Sequence, residues 1–149
     1  MRPQKILLVE DNDDDAELTM MAFRDANIAN PVVRMRDGVD ALDYLFGRGA
    51  HSAEAEALLP AVVLLDIKLP RLNGLEVLKQ LRAAERTQHL PVVILTSSEE
   101  DRDRFEAYAS HANSYVRKPV DYDEFVLATR QLGLYWTVMN LPPPPRDSR

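Results

Sequence analysis

The sequence predicts a doubly wound α/β domain, a five-stranded parallel sheet in the order 2-1-3-4-5 with helices on both faces. Three observations carry that expectation. Short apolar runs alternate with helix-period segments five times along the chain, and such alternation builds a parallel sheet with right-handed crossovers. The runs are apolar almost without a break, as strands covered on both faces are. The 149 residues fit one domain, since domains mostly run about 100–150 residues.

The elements follow in order. Ile6-Leu7-Leu8-Val9 is the first strand, closed by Glu10. From Asp13 the period becomes helical, with Ala16, Met20 and Phe23 tracing a stripe and Leu18 and Met21 at its edges, as far as Ala26. Pro31 to Met35 reads as a second strand, interrupted by Arg34, and Gly38 to Phe46 as a helix with Val39, Leu42 and Leu45 on one side. Ala61 to Leu65 is the clearest buried strand; Leu75, Leu78 and Leu81 follow it at helical spacing, with Val77 beside them. Pro91 to Leu95 is a fourth strand, residues 99–110 a charged helix around Phe105 and Ala109, and Asn113 to Val116 a short fifth strand. A last helix starts at Asp121, with Phe125, Ala128, Leu132 and Tyr135 facing inward. Five such units suit the flavodoxin-like strand order. Gly47 to Pro60 is longer than a usual αβ loop of ~2–6 residues. The domain is expected to span residues 4–135, leaving 136–149 as a C-terminal extension. Pro142 to Pro145 near its end cannot continue a helix.

Composition narrows the function. Eighteen Lys+Arg against 24 Asp+Glu give a net charge of −6, which argues against gripping nucleic-acid backbones. The absence of cysteine removes disulfides, thiol catalysis and Cys-ligated zinc together. No apolar run approaches the ~18 residues of a membrane span. The apolar run after the basic segment Met1 to Lys5 is too short for a signal-peptide core. The expectation is a soluble, cytoplasmic chain with neither nucleic acid nor membrane as partner. Five carboxylates, Glu10, Asp11, Asp13, Asp14 and Asp15, lie in one stretch without a base, so much of the acidity is local.

In open α/β sheets the working site lies outside the carboxyl ends of the strands. Strand one ends in Glu10-Asp11, strand three in Asp66 and strand four in Thr96-Ser97, while strand five leads to Lys118-Pro119. Strand two offers only Arg36-Asp37 and is expected at the sheet edge. One rim therefore collects three carboxylates, one or two hydroxyls and an ammonium. Crowded carboxylates repel unless neutralised. A hard divalent cation does this, and Mg2+ takes one or two carboxylates, waters and phosphate oxygens. An Asp can also be a nucleophile that forms an acyl phosphate. Phosphoryl transfer needs mainly positioning and charge stabilisation, and Asp66, between a metal on Asp11 and the Lys118 ammonium, has those parts. Thr96 can hydrogen-bond a phosphoryl oxygen. The blander readings are helix capping by Glu10-Asp11, for which Asn12 or Asp13 is the better cap, and solvated residues at the other positions.

The set Val9-Glu10-Asp11, Leu65-Asp66, Pro70, Gly74, Thr96-Ser97, and Tyr115 followed by Lys118-Pro119 resembles the receiver domain of two-component response regulators. The resemblance implies that Asp66 accepts a phosphoryl group from a sensor histidine kinase, which makes the chain a phosphoacceptor and not an enzyme. It implies Mg2+ on the Asp11 and Asp66 side chains, on Glu10 through water, and on the backbone carbonyl of Lys68. Thr96 and Tyr115 match the family's switch pair, Lys118 its phosphate-contacting lysine, and Lys118-Pro119 its cis peptide. More narrowly, Asp66 to Gly74, the long 47–60 loop and Leu132-Gly133-Leu134-Tyr135-Trp136 resemble single-domain regulators paired with bacterial phytochromes.

Those relatives imply a homodimer through the α4-β5-α5 face, here the predicted helix 99–110, strand 113–116 and helix from 121, together with the C-terminal extension. Leu134, Trp136, Val138, Met139 and Leu141 continue the apolar pattern past the expected domain end, and exposed apolar patches usually mark an interface. Few residues remain for a DNA-binding output domain, so a protein-protein output is expected. Lys68 departs from the family's usual neutral residue. It also occupies the place where an Asp-nucleophile phosphatase needs a second Asp. The acidic stretch after strand one would repel the phosphate of a flavin or nucleotide. His51, His89 and His111 lack metal-ligand spacing.

Overall fold

The computed structural model of the chain describes residues 5–49, 59–96 and 114–117, together with residues 123, 126, 127 and 130. β1 (Ile6–Val9), β2 (Val32–Met35), β3 (Val62–Asp66), β4 (Val92–Thr96) and β5 (Ser114–Arg117) form one sheet in the order β2-β1-β3-β4-β5. All neighbouring strands pair in parallel. Between them run α1 (Asp13–Asp25), α2 (Gly38–Phe46) and α3 (Gly74–Ala83). Residues 123, 126, 127 and 130 are helical, and the Arg130 guanidinium donates to the Asp25 carbonyl at 3.2 Å. The third, fourth and fifth strands each lie one residue later than the sequence suggests. The expected helix 99–110, most of the helix from 121, most of the 47–60 loop and the 136–149 extension lie outside the described residues.

The two faces of the sheet divide the apolar residues by strict alternation. Leu7, Val9, Val63, Leu65, Val92 and Ile94 pack with Leu42, Leu45, Leu75, Leu78 and Leu81 of α2 and α3. Ile6, Leu8, Val62, Leu64, Val93 and Leu95 pack with Ala16 and Phe23 of α1. Burying each large aliphatic side chain contributes ~1.5–3 kcal/mol, and it is this two-sided burial that makes the runs look continuous in sequence.

α1 differs in detail from its expected stripe. Met21 is exposed, whereas Thr19 and Ala22 are buried beside Ala16 and Phe23. Thr19 tolerates burial because its hydroxyl donates to the Asp15 carbonyl one turn back, at 2.9 Å. Each of α1, α2 and α3 begins with a side-chain cap. Asn12, Asp37 and Asn73 accept from the backbone N–H three residues on, at 2.9, 2.7 and 2.9 Å, as good N-caps do. All three helix starts therefore stand just beyond strand carboxyl ends, around the same rim. No helix among the described residues is long and apolar enough to cross a membrane.

Candidate functional site

Glu10 leaves β1 fully buried. Its N–H donates to the Met35 carbonyl at 3.0 Å, and its carbonyl accepts from Arg34 Nε at 3.0 Å. Its side chain accepts from the Asn12 N–H, two residues on, at 3.3 Å. Asp11 follows, exposed. Asp66 ends β3 with only 5% of its surface exposed. Beyond it, the Ile67 N–H reaches the Leu95 carbonyl at 3.3 Å, and the Gly74 N–H returns to the Ile67 carbonyl at 2.8 Å. Gly74 is required there, since a Cβ at this position would overlap the Asp66 carbonyl oxygen.

These folds of the chain bring one carboxylate oxygen each from Glu10, Asp11 and Asp66 within 4.8 Å of one another. At such separations two unit charges repel by about 4 kcal/mol where the effective dielectric constant is ~20. A bound cation relieves that repulsion. The donors are all anionic oxygens, which fit a hard divalent ion such as Mg2+ or Mn2+ better than a soft one.

The other expected residues are placed less completely. Lys68 lies exposed on the loop after Asp66. The backbone of Thr96 ends β4, one residue past Leu95, which pairs with Asp66. Tyr115 pairs with Ile94 in β5. The side chains of Thr96 and Tyr115, and the whole of Lys118 and Pro119 with their expected cis peptide, lie outside the described residues.

β2 contributes what the sequence reading passed over. Arg34 reaches Asp13 at 2.9 Å through Nη1, and Arg36 reaches the same carboxylate oxygen at 2.8 Å. Arg36, and then Arg34, holds the Asp13 carboxyl below the usual carboxylate range. Asp37, next along, accepts from Arg71 Nη2 on both oxygens, at 2.9 and 3.0 Å. Arg71 sits at φ 66°, a left-handed conformation that a non-glycine residue adopts only at a cost. Arg34 thus ties β2 to the start of α1, and the Asp37–Arg71 pair ties the start of α2 to the loop before α3. The signal for this was present: Arg34 stands inside a strand that the predicted order places beside β1.

Comparison with known proteins agrees with the geometry. Residues 6–130 match the family model described as the response regulator receiver domain. The chain is 41% identical over 143 residues to the "Probable methanogenesis regulatory protein FilR2" of Methanothrix harundinacea (strain 6Ac), spanning 96% of this chain and 90% of that protein. Among solved structures it is similar to the bacteriophytochrome response regulator RtBRR, with 46% identity, a TM-score of 0.79, and coverage of 98% of this chain and 87% of that one. It is also similar to the Mn(2+)-bound form of response regulator Rcp1, with 28% identity, a TM-score of 0.80, and coverage of 95% and 100%. The chain belongs to the response regulator receiver-domain family, and bacteriophytochrome response regulators are among the structures it is similar to.

Proposed function

We propose that Asp66 accepts a phosphoryl group from the phosphohistidine of a sensor histidine kinase, with a bacteriophytochrome as the kinase. One observation carries the reading: a nearly buried Asp66 at a strand end, its carboxylate within 4.8 Å of those of Glu10 and Asp11. When bound, Mg2+ supplies the positive charge that the crowded carboxylates and an incoming phosphoryl group need. Asp11, Asp66, the Lys68 backbone carbonyl and, through water, Glu10 are the groups that would hold it. An Asp66 oxygen attacks phosphorus as the P–N bond to imidazole breaks; the imidazole leaves with the bonding pair and takes up a proton. Thr96 donates its hydroxyl to a phosphoryl oxygen, and Lys118, with a cis peptide to Pro119, counters the charge of another. Thr96 and Tyr115 then form the switch, the hydroxyl moving to the phosphoryl group and the ring turning inward behind it. The altered surface signals by protein-protein contact in the cytoplasm, from a homodimer built on the fourth-helix, fifth-strand and last-helix face and the C-terminal extension. Similarity to RtBRR supports the choice of kinase, and the Mn(2+)-bound Rcp1 structure supports the divalent cation.

The test is incubation with a small phosphodonor and Mg2+. The parent chain gains one acid-stable, base-labile phosphate, and Asp66→Asn gains none. Label retained in Asp66→Asn, or none in the parent, would favour a receiver-shaped dimerisation module that is not phosphorylated.

A further inference from the structure

We propose that Arg34 is a positioning residue for the divalent-cation site, setting where the Glu10 and Asp11 carboxylates stand; this rests on the metal-binding reading above. Asp11 lies between the end of β1 and the start of α1 and belongs to neither. Its place is therefore set by the residues on either side, and Arg34 holds both. Nε fixes the Glu10 carbonyl at 3.0 Å and Nη1 fixes the Asp13 carboxylate at 2.9 Å. The Glu10 N–H is itself held by the Met35 carbonyl at 3.0 Å. Both backbone polar groups of Glu10 are thus anchored on β2, which fixes the direction in which the chain presents Asp11.

The Arg34 side chain is only 19% exposed, against 59% for Arg36. Its remaining nitrogen, Nη2, is buried without a hydrogen-bond partner among the described residues. Every side-chain hydrogen bond and ion pair of Arg34 among those residues therefore goes to Glu10 or to Asp13, the residues that flank the Asp11-Asn12 link. A planar guanidinium can span a carbonyl and a carboxylate at once, whereas a lysine offers a single nitrogen. Arg36 shares only the Asp13 contact, so it carries the same charge beside the acidic cluster without the grip on Glu10.

Charge and position predict opposite signs, which makes the inference testable. A nearby cation opposes the binding of another cation, so removing one should tighten metal binding if charge were its whole contribution. Loss of groups that orient metal ligands typically weakens binding by ~10–100-fold. The experiment titrates Mn2+ alone into the unphosphorylated full-length protein and reads free Mn2+ by electron paramagnetic resonance, with the melting temperature in EDTA recorded for each variant. Arg34→Met and the charge-retaining Arg34→Lys should each weaken Mn2+ binding about tenfold, while Arg36→Met leaves it unchanged or tighter. Parent-like or tighter binding in a folded Arg34→Met overturns the inference. If Arg34→Met does not fold, Arg34→Lys decides by the same criterion. A parent chain that binds no Mn2+ overturns the metal site itself, and the inference with it, a result distinct from a parent that binds and a variant that binds equally well.

Discussion

Lys68 puts an ammonium group on the exposed loop immediately past the proposed phosphoacceptor. Water that hydrolyses an acyl phosphate must approach phosphorus from the side open to solvent, opposite the aspartyl oxygen. A long cation beside that path pairs with phosphoryl oxygens and stands in the water's way, and a shorter neutral side chain does neither. An exposed ion pair is worth ~0.2–1 kcal/mol, which converts to rate changes of up to about fivefold. Phosphorylated Lys68→Asn should therefore lose its phosphate about two to five times faster than the parent. The decay of labelled protein after donor removal measures this, and equal half-lives would exclude a role for the lysine. The site is legible at this scale to the extent that its residues end strands. Glu10, Asp11 and Asp66 stand directly after apolar runs, and a parallel sheet gathers such ends on one side. The strand order sets Arg34 beside β1, but nothing in the sequence marks the groups that Arg34 and Arg71 hold. Their partners lie 24 and 34 positions away in sequence, and the Arg71 contact also depends on a left-handed turn that an arginine does not announce.

Between elements, the Asp37–Arg71 pair joins the start of α2 to the loop that leads from β3 into α3. Partial burial pushes the Asp37 carboxyl up, but the Asp40 N–H and the Arg71 guanidinium outweigh it and hold the group below its ordinary value. A carboxyl depressed by folding stabilises the fold through its ionised form. That contribution is complete above the unfolded-state value of about 3.9 and is lost as pH falls through the lower folded-state value. Asn is as good an N-cap as Asp, so Asp37→Asn keeps the helix start and removes the charge opposite Arg71. Urea unfolding should show a loss below about 1 kcal/mol at pH 7 and a flatter fall in stability between about pH 5 and pH 3 than in the parent. Parallel pH profiles would mean that the pair does not couple the two elements. The strands were readable almost to the residue, because two-sided burial leaves an unbroken apolar run, as in Ile6–Val9. The stripe of α1 was less so, since a threonine whose hydroxyl is satisfied inside its own helix enters the core unmarked by hydropathy.

The proposed dimer explains a sequence feature that a lone domain leaves without purpose: Trp136, Val138, Met139 and Leu141 extend an apolar pattern beyond the expected end of the receiver. A stable interface buries about 1,200–2,000 Å2, and large apolar side chains such as tryptophan are what commonly anchor one. The acidic stretch of residues 10–15 follows the first strand, and the proposed contact is built from the last helices, strand and extension. Dimerisation therefore need not bury the acidic cluster or block a kinase from it. Sedimentation equilibrium should accordingly give twice the 16.9 kDa chain mass for the parent. A chain ending at Tyr135 should sediment as a monomer yet still take up phosphate on Asp66. Comparing each protein with and without the phosphodonor shows whether the switch acts on the association. A parent that stays monomeric in both states, or a shortened chain that still dimerises, would take the extension out of the interface.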